Sequence, residues 1–331
     1  MADMVWPGAV ASRAGGAGGP PVLIVAGPTA SGKSRLAMEI AAAFAGTIIN
    51  ADSMQVYREL RVLTARPSAA AEARAPHRLY GVLEAREPCS AGRWAGLAAA
   101  EIDAALSADR LPIVVGGTGL YLQALVEGLS PIPAVPAEVR AAALSLHTDL
   151  GGAAFREALA AVDPIMAARL PAGDTQRLVR AWEVAAATGR PLSDWQREAP
   201  RRPAVGVRFA TLVLDPPREA LNRAIAARLQ AMVAEGAIAE VRNLLDLGLD
   251  PSLPVMKAVG VKEFAACVRG ECTLEAATAA AAGATRRYAK RQQTWIRRRI
   301  VADMVASEQY SERIGVRIFR FIRQFLLTAG S

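Results

Sequence analysis

Four short aliphatic runs punctuate the chain: Val22–Ala26, Thr47–Asn50, Leu111–Val115 and Phe209–Leu214. They are too short for buried helices and show no polar alternation, so each predicts a strand buried on both faces. Between them apolar positions recur at helical spacing, as over Arg35–Phe44. Strands alternating with helices predict an α/β fold with a parallel sheet and crossover helices. After the third run the pattern changes. Ser130-Pro131-Ile132-Pro133-Ala134-Val135-Pro136 is a stiff linker, and the chain from there to about Arg190 is helical with no strand. A second Pro- and Arg-rich connection, Pro191–Pro203, leads back to the fourth run. The organisation expected is a core of residues 21–130 and 204–305 with an all-helical insertion at 131–203. A further helical block covers Arg218–Leu247, and Leu274–Ile300 reads as one long helix with Gly283 as its weak point. The tail, 306–331, alternates basic and apolar residues through Arg317, Arg320 and Arg323. It is expected to dock as a terminal helix, an interfacial helix being the alternative. Residues 1–20, rich in Gly, Ala and Pro, read as a disordered leader and not a signal peptide.

Composition narrows the partners. The 331 residues carry a net charge of +8 and no apolar run long enough to span a bilayer. Cys89, Cys267 and Cys272 are scattered, which argues against a disulfide framework or a zinc site and fits a reducing cytosol. The positive charge admits either a solvated basic surface or a polyanionic partner such as nucleic acid.

The richest chemistry lies in Gly27-Pro28-Thr29-Ala30-Ser31-Gly32-Lys33-Ser34, between the first strand and its helix. Glycines let such a loop curl its N–H groups inward, the helix N-terminus adds partial positive charge, Lys33 adds a full one, and the Ser34 hydroxyl can hold Mg²⁺. The loop predicts a bound polyphosphate or pyrophosphate without saying which molecule carries it. Asp52 follows the second strand, and ligands of open α/β sheets sit beyond strand carboxyl ends, so Asp52 is expected near the loop. The competing reading is a helix N-cap. The third strand ends in Gly116-Gly117-Thr118-Gly119, where most P-loop ATPases and GTPases carry a Mg²⁺-holding Asp. That absence weakens the motor and switch readings and leaves Asp52 as the obvious carboxylate. Thr118 offers a hydroxyl, unless the segment is only a tight turn. In the insertion, Gln176, Arg177 and Arg180 lie within about one helical turn and suit phosphate and base-edge contacts, against the plainer reading of a solvated face. The stretch Thr285–Arg299 interleaves aromatics with cations and contains no acidic residue, which favours nucleic-acid contact. His77 and His147 have no partner at ligand spacing and read as structural.

Together these blocks resemble the tRNA dimethylallyltransferase family, which modifies the adenosine just 3′ of the anticodon. The matching pieces are GPTASGKS (27–34), DSMQVYR (52–58), TARP (64–67), PHRL (76–79), VGGTGLYLQALVEGLSPIP (115–133), DPIMAARL (163–170), DTQRLVRAWEV (174–184), VGVKE (259–263) and TRRYAKRQQTW (285–295). The resemblance implies a P-loop kinase-like core with a helical insertion that grips the anticodon arm. It implies that residues 27–34 hold the diphosphate of dimethylallyl diphosphate with Mg²⁺ on Ser34, and that Asp52 is the base with Lys33 and Thr29 beside it. Asp52, Ser53, Met54, Gln55, Thr118, Arg140, Gln176, Arg177, Leu178, Val179 and Arg180 are implied as tRNA contacts. A cytoplasmic monomer with no membrane partner is expected. There are departures: Val261 replaces the usual Tyr, Tyr80-Gly81-Val82 stands where an acidic pair is usual, and the family's diphosphate Arg aligns with Ala224. Arg223 is expected to replace it, with Arg228 as the alternative. No C-terminal zinc finger follows, which implies the bacterial type. The rivals are a small-molecule or nucleotide kinase on the same loop and an NTP-dependent RNA-binding module.

Overall fold

The computed structural model describes residues 18–204 and 206–328, so the leader expected over 1–20 lies almost wholly outside the described residues. Six strands, β1 (Pro21–Ala26), β2 (Gly46–Asn50), β3 (His77–Arg78), β4 (Leu111–Gly116), β5 (Arg208–Leu214) and β6 (Met304–Ala306), form one sheet in the order β3-β2-β4-β1-β5-β6. Every pairing is parallel. The four central strands are the four aliphatic runs. Val22, Leu23 and Val25 of β1 and Ile113 and Val114 of β4 are fully buried, as helices on both faces require.

Helices α1 (Lys33–Ala43), α2 (Ala69–Arg74), α3 (Ala91–Ser107) and α4 (Gly119–Val126) precede the insertion. The insertion holds α5 (Ala137–Ala160), α6 (Pro164–Arg169), α7 (Thr175–Thr188) and α8 (Leu192–Trp195). Helices α9 (Arg218–Ala234), α10 (Ala237–Asp246), α11 (Val261–Val268), α12 (Leu274–Arg299) and α13 (Glu312–Leu327) complete the chain. Two compact units result, one formed by the described residues up to Val126 and from Pro203 onward, the other by Glu127–Arg202.

In the first unit α12 runs unbroken through Gly283, started by the Thr273 hydroxyl, which accepts from Ala276 N–H at 3.2 Å. The tail is a docked helix: Ile314, Ile318 and Ile322 of α13 are buried in the same cluster as Leu36 and Ile40 of α1. Arg317, Arg320 and Arg323 stay on the exposed side. In the second unit, α5 kinks at Gly151, which has φ 73°. The buried Asp163 carboxylate accepts from Met166 N–H and from Ser193 N–H, both at 3.0 Å, so one side chain caps α6 and staples α8. Phe155, Leu159, Leu178 and Val184 form this unit's own core. Among the described residues no helix is long and apolar enough to cross a membrane.

Candidate active site

The loop after β1 reaches α1 through Ala30 at φ 64° and Gly32 at φ 94°, both left-handed, so successive amides turn toward one side. That side is a cavity of about 360 Å³ lined by Thr29–Ser34, Asp52, Gln55, Tyr80, Arg228 and Gln309, among others. Lys33 Nζ donates to Pro28 O at 2.6 Å. Burial lowers its pKa to about 7, with Asp52 opposing and Arg228 adding to the shift. Arg228 Nη2 donates to Thr29 Oγ1 at 2.5 Å, and burial lowers this guanidinium too, against the pull of Asp52. A side chain from α12 fixes the loop from behind: Gln292 accepts from Thr29 N–H at 2.8 Å and donates to Gly117 O at 2.9 Å. The hydroxyl of Ser31, wholly buried, has no partner among the described residues. Cations, inward amides and an unused hydroxyl in one pocket suit an anion with several oxygens.

Asp52 faces the same pocket from the end of β2. The buried Asn50 sets this turn. Its Nδ2 donates to Asp52 O and Leu79 O, both at 3.0 Å, and its Oδ1 accepts from Asp52 N–H at 2.8 Å. Asp52 Oδ1 accepts from Met54 N–H at 2.9 Å; turns and not a helix follow, so the capping alternative reduces to an Asx turn. Thr118 braces Ser53, its Oγ1 accepting from Ser53 N–H at 3.0 Å. The phenol of Tyr288, within hydrogen-bond reach of Thr118, is pushed up by burial and then by Asp52. The glycines at the end of β4 are demanded by close approach. A Cβ at Gly116 would lie 2.1 Å from Ala51 O, and one at Gly117 2.3 Å from Gln292 Nε2.

Not every expected residue reaches this pocket. Gly27 and Pro28, the first two residues of the loop, are buried and do not line the cavity. Arg223 is exposed and does not line the cavity, whereas Ala224 and Arg228 do. Ala224 and Arg228 are four residues apart on α9 and share a face, while Arg223 is turned by about 100°, so the correction follows from helix geometry. Ser53 and Met54 are half-buried in the turn beyond Asp52, and Gln55 donates to Thr64 O at 2.7 Å.

In the inserted unit Arg140, Gln176 and Arg177 are exposed, and Arg180 pairs with the buried Glu183 at 2.7 Å. Leu178 and Val179 are corrected: at 0% and 4% exposure they belong to that unit's core, and their side chains are closed to a partner. The basic stretch on α12 is corrected in part. Arg297 pairs at 2.8 Å with the buried Asp215 at the end of β5, and Gln292 points into the protein. Arg286, Arg287, Lys290, Arg291, Arg298 and Arg299 remain exposed. Gln292, Gln309 and Asn50 are site residues that sequence reasoning misses; the one signal is the uncharged pair Gln292-Gln293 within an otherwise cationic run.

A parallel sheet whose first strand runs through a glycine-rich loop into a helix, with a lysine, an arginine and a carboxylate around one cavity, defines an α/β protein with a P-loop-like core. The IPP transferase family model matches residues 55–299, and the chain belongs to that family. It is 59% identical over 282 residues to the tRNA dimethylallyltransferase of Rhodospirillum centenum, covering 85% of this chain and 90% of that one. With the tRNA dimethylallyltransferase of Paramagnetospirillum magneticum the identity is 55% over 309 residues, 93% of this chain and 98% of the other. A full-length tRNA isopentenylpyrophosphate transferase from Bacillus halodurans superposes with a TM-score of 0.67 at 30% identity, over 93% of this chain and 97% of that one. A eukaryotic dimethylallyltransferase acting on tRNA shares the fold, with a TM-score of 0.74 at 24% identity over 92% and 80% of the two chains.

Proposed function

We infer that the chain transfers the dimethylallyl group of dimethylallyl diphosphate to the exocyclic amine of the tRNA adenosine 3′ to the anticodon, giving isopentenyladenosine and diphosphate. The observation that carries this reading is one cavity that joins a diphosphate-type loop to a single carboxylate, Asp52, in a chain 59% identical to a tRNA dimethylallyltransferase.

The allylic C–O bond breaks with its electron pair leaving on the diphosphate, and the adenine nitrogen forms the new bond to that carbon. The leaving anion gains charge, and Lys33, Arg228 and the loop amides are the donors built to receive it. The adenine amine is a poor nucleophile because its lone pair is delocalised into the ring. Asp52 accepts its hydrogen bond and takes its proton as the new bond forms. Asn50 and Thr118 hold the turn that aims Asp52. The adenine has to leave its stack to reach this carboxylate.

No group of three or more His, Cys, Asp or Glu among the described residues could hold a metal on its own. The Ser34 hydroxyl lines the cavity as an oxygen donor, which fits a hard cation held there together with diphosphate oxygens, as Mg²⁺ commonly is. When bound, the cation supplies charge neutralisation to the leaving group. Arg140, Gln176, Arg177 and Arg180 of the inserted unit are assigned to the anticodon arm. The exposed cations of α12 are assigned to RNA phosphates. Three free cysteines accord with a reducing cytoplasm, and monomeric action is the simplest assembly.

The test is incubation with an anticodon stem-loop RNA, labelled dimethylallyl diphosphate and Mg²⁺, without ATP. Label should enter the RNA. No transfer, where a related enzyme transfers under the same conditions, overturns the reading, and a requirement for ATP would favour a kinase.

A further inference from the structure

The phosphate loop is also held from a direction that its own motif does not contain. The segment between β6 and α13 crosses the outer side of the loop. Gln309 Nε2 donates to Ala30 O at 3.0 Å, across 279 residues of sequence. Gln309 lines the cavity, and its other amide atom, Oε1, is buried with no partner among the described residues. The next residue anchors the crossing. Tyr310 is 6% exposed, packs in the α1–α13 core, and donates from its hydroxyl to Glu39 on α1. A Cβ at Gly32 would lie 2.9 Å from Tyr310 Cβ, so the loop is closed against this segment. On the other side β6 pairs with β5 from Leu212↔Met304 to Leu214↔Ala306. Gln309 is therefore strung between two fixed points and aimed at the loop.

We propose that Gln309 is a positioning residue of the diphosphate site, contributed by the C-terminal segment; this rests on the diphosphate reading above. Its Nε2 fixes the Ala30 carbonyl. The Ala30–Ser31 peptide cannot then turn over, and the Ser31 N–H keeps its direction in the loop. Its Oε1 needs a donor, since a buried acceptor left unpaired is costly. A diphosphate fully ionised in its complex with a divalent cation offers only acceptor oxygens. The donor that arrives with it is a water carried by its divalent cation, which keeps several waters when bound through phosphate oxygens. Gln309 thus reads the metal–diphosphate pair and not the anion alone. The residue lies outside the span matched by the family model, which ends at 299.

Calorimetric titration of the full chain with inorganic pyrophosphate, in Mg²⁺ and again in EDTA, tests this. Gln309→Met keeps the side chain's length and removes both polar functions. It should weaken binding roughly tenfold in Mg²⁺ and by much less in EDTA. Its ligand-free unfolding midpoint should fall by no more than about 2 °C, as the loss of one part-buried hydrogen bond allows, and its affinity for stem-loop RNA should stay at the wild-type value, whereas a merely structural role would lower both further. Gln309→Glu keeps an acceptor toward the cation's water and loses the donor to Ala30. Its binding should be poor in EDTA and recover as Mg²⁺ is raised. Wild-type affinity of Gln309→Met in Mg²⁺ overturns the proposal, as does a loss of equal size in both buffers. If the wild-type protein itself fails to bind pyrophosphate, the diphosphate reading falls and this proposal falls with it.

Discussion

Gln292→Met is the sharpest probe of how the core holds its phosphate loop. Gln292 is 5% exposed, and its amide makes two bonds that Met cannot replace, from Thr29 N–H and to Gly117 O. The two losses differ in cost. The Gly117 contact is buried, and an unpaired buried carbonyl costs about 1–3 kcal/mol. Thr29 lines the cavity, so its amide can turn to water, and losing that bond costs about 0.5 kcal/mol. The sum is about 2 kcal/mol, which should lower the unfolding midpoint by roughly 4–8 °C. The same loss frees the Thr29 peptide, so KM for dimethylallyl diphosphate should rise more than kcat falls. Gly117→Ala approaches the contact from the other side, because its Cβ would sit 2.3 Å from Gln292 Nε2. If both changes act on one bond, the double mutant is less destabilised than the sum of the singles, by about 0.5–3 kcal/mol. Thermal unfolding and initial-rate kinetics on the four proteins decide it. A Gln292→Met protein with wild-type midpoint and wild-type KM refutes the argument.

Asp52→Ala should lower kcat by about 10²–10⁴ with RNA affinity retained, measured by single-turnover transfer and filter binding; near-normal turnover would leave Asp52 only its turn. Arg228→Ala should raise KM for the allylic diphosphate about tenfold or more while Arg223→Ala is close to silent, since Arg228 bonds Thr29 and Arg223 is exposed; equal effects would contradict the helix-face argument. Lys33, held down to about 7 by burial, regains its proton when an anion enters, so diphosphate binding in EDTA should take up about one proton at pH 8.5 and weaken as pH climbs above 7. Calorimetry in buffers of different ionisation enthalpy reads this uptake, and a Lys33→Met protein should show none; a wild-type enthalpy independent of buffer would rule the shift out.

What is legible in the chain is what is local. A strand buried on both faces is an unbroken aliphatic run, so the four central strands show, whereas β3 and β6, of two and three residues, are too short to carry a pattern. The phosphate loop is legible because eight contiguous residues build it, and Asp52 because it ends the strand beside it. Gln292 and Gln309 are hidden because they reach the loop from 263 and 279 residues away, and one of them stands in a helix whose cations dominate its character. Helix period explains the remaining misses. A site carried over as a contiguous run, Gln176 to Arg180, cannot face one partner, because five successive helical residues sweep more than a full turn. The exposed Gln176 and Arg177 and the buried Leu178 and Val179 divide as that sweep requires. The same period separates Arg223 from Ala224 and joins Ala224 to Arg228. In a helical site, the choice between neighbouring residues therefore belongs to the face and not to the alignment column.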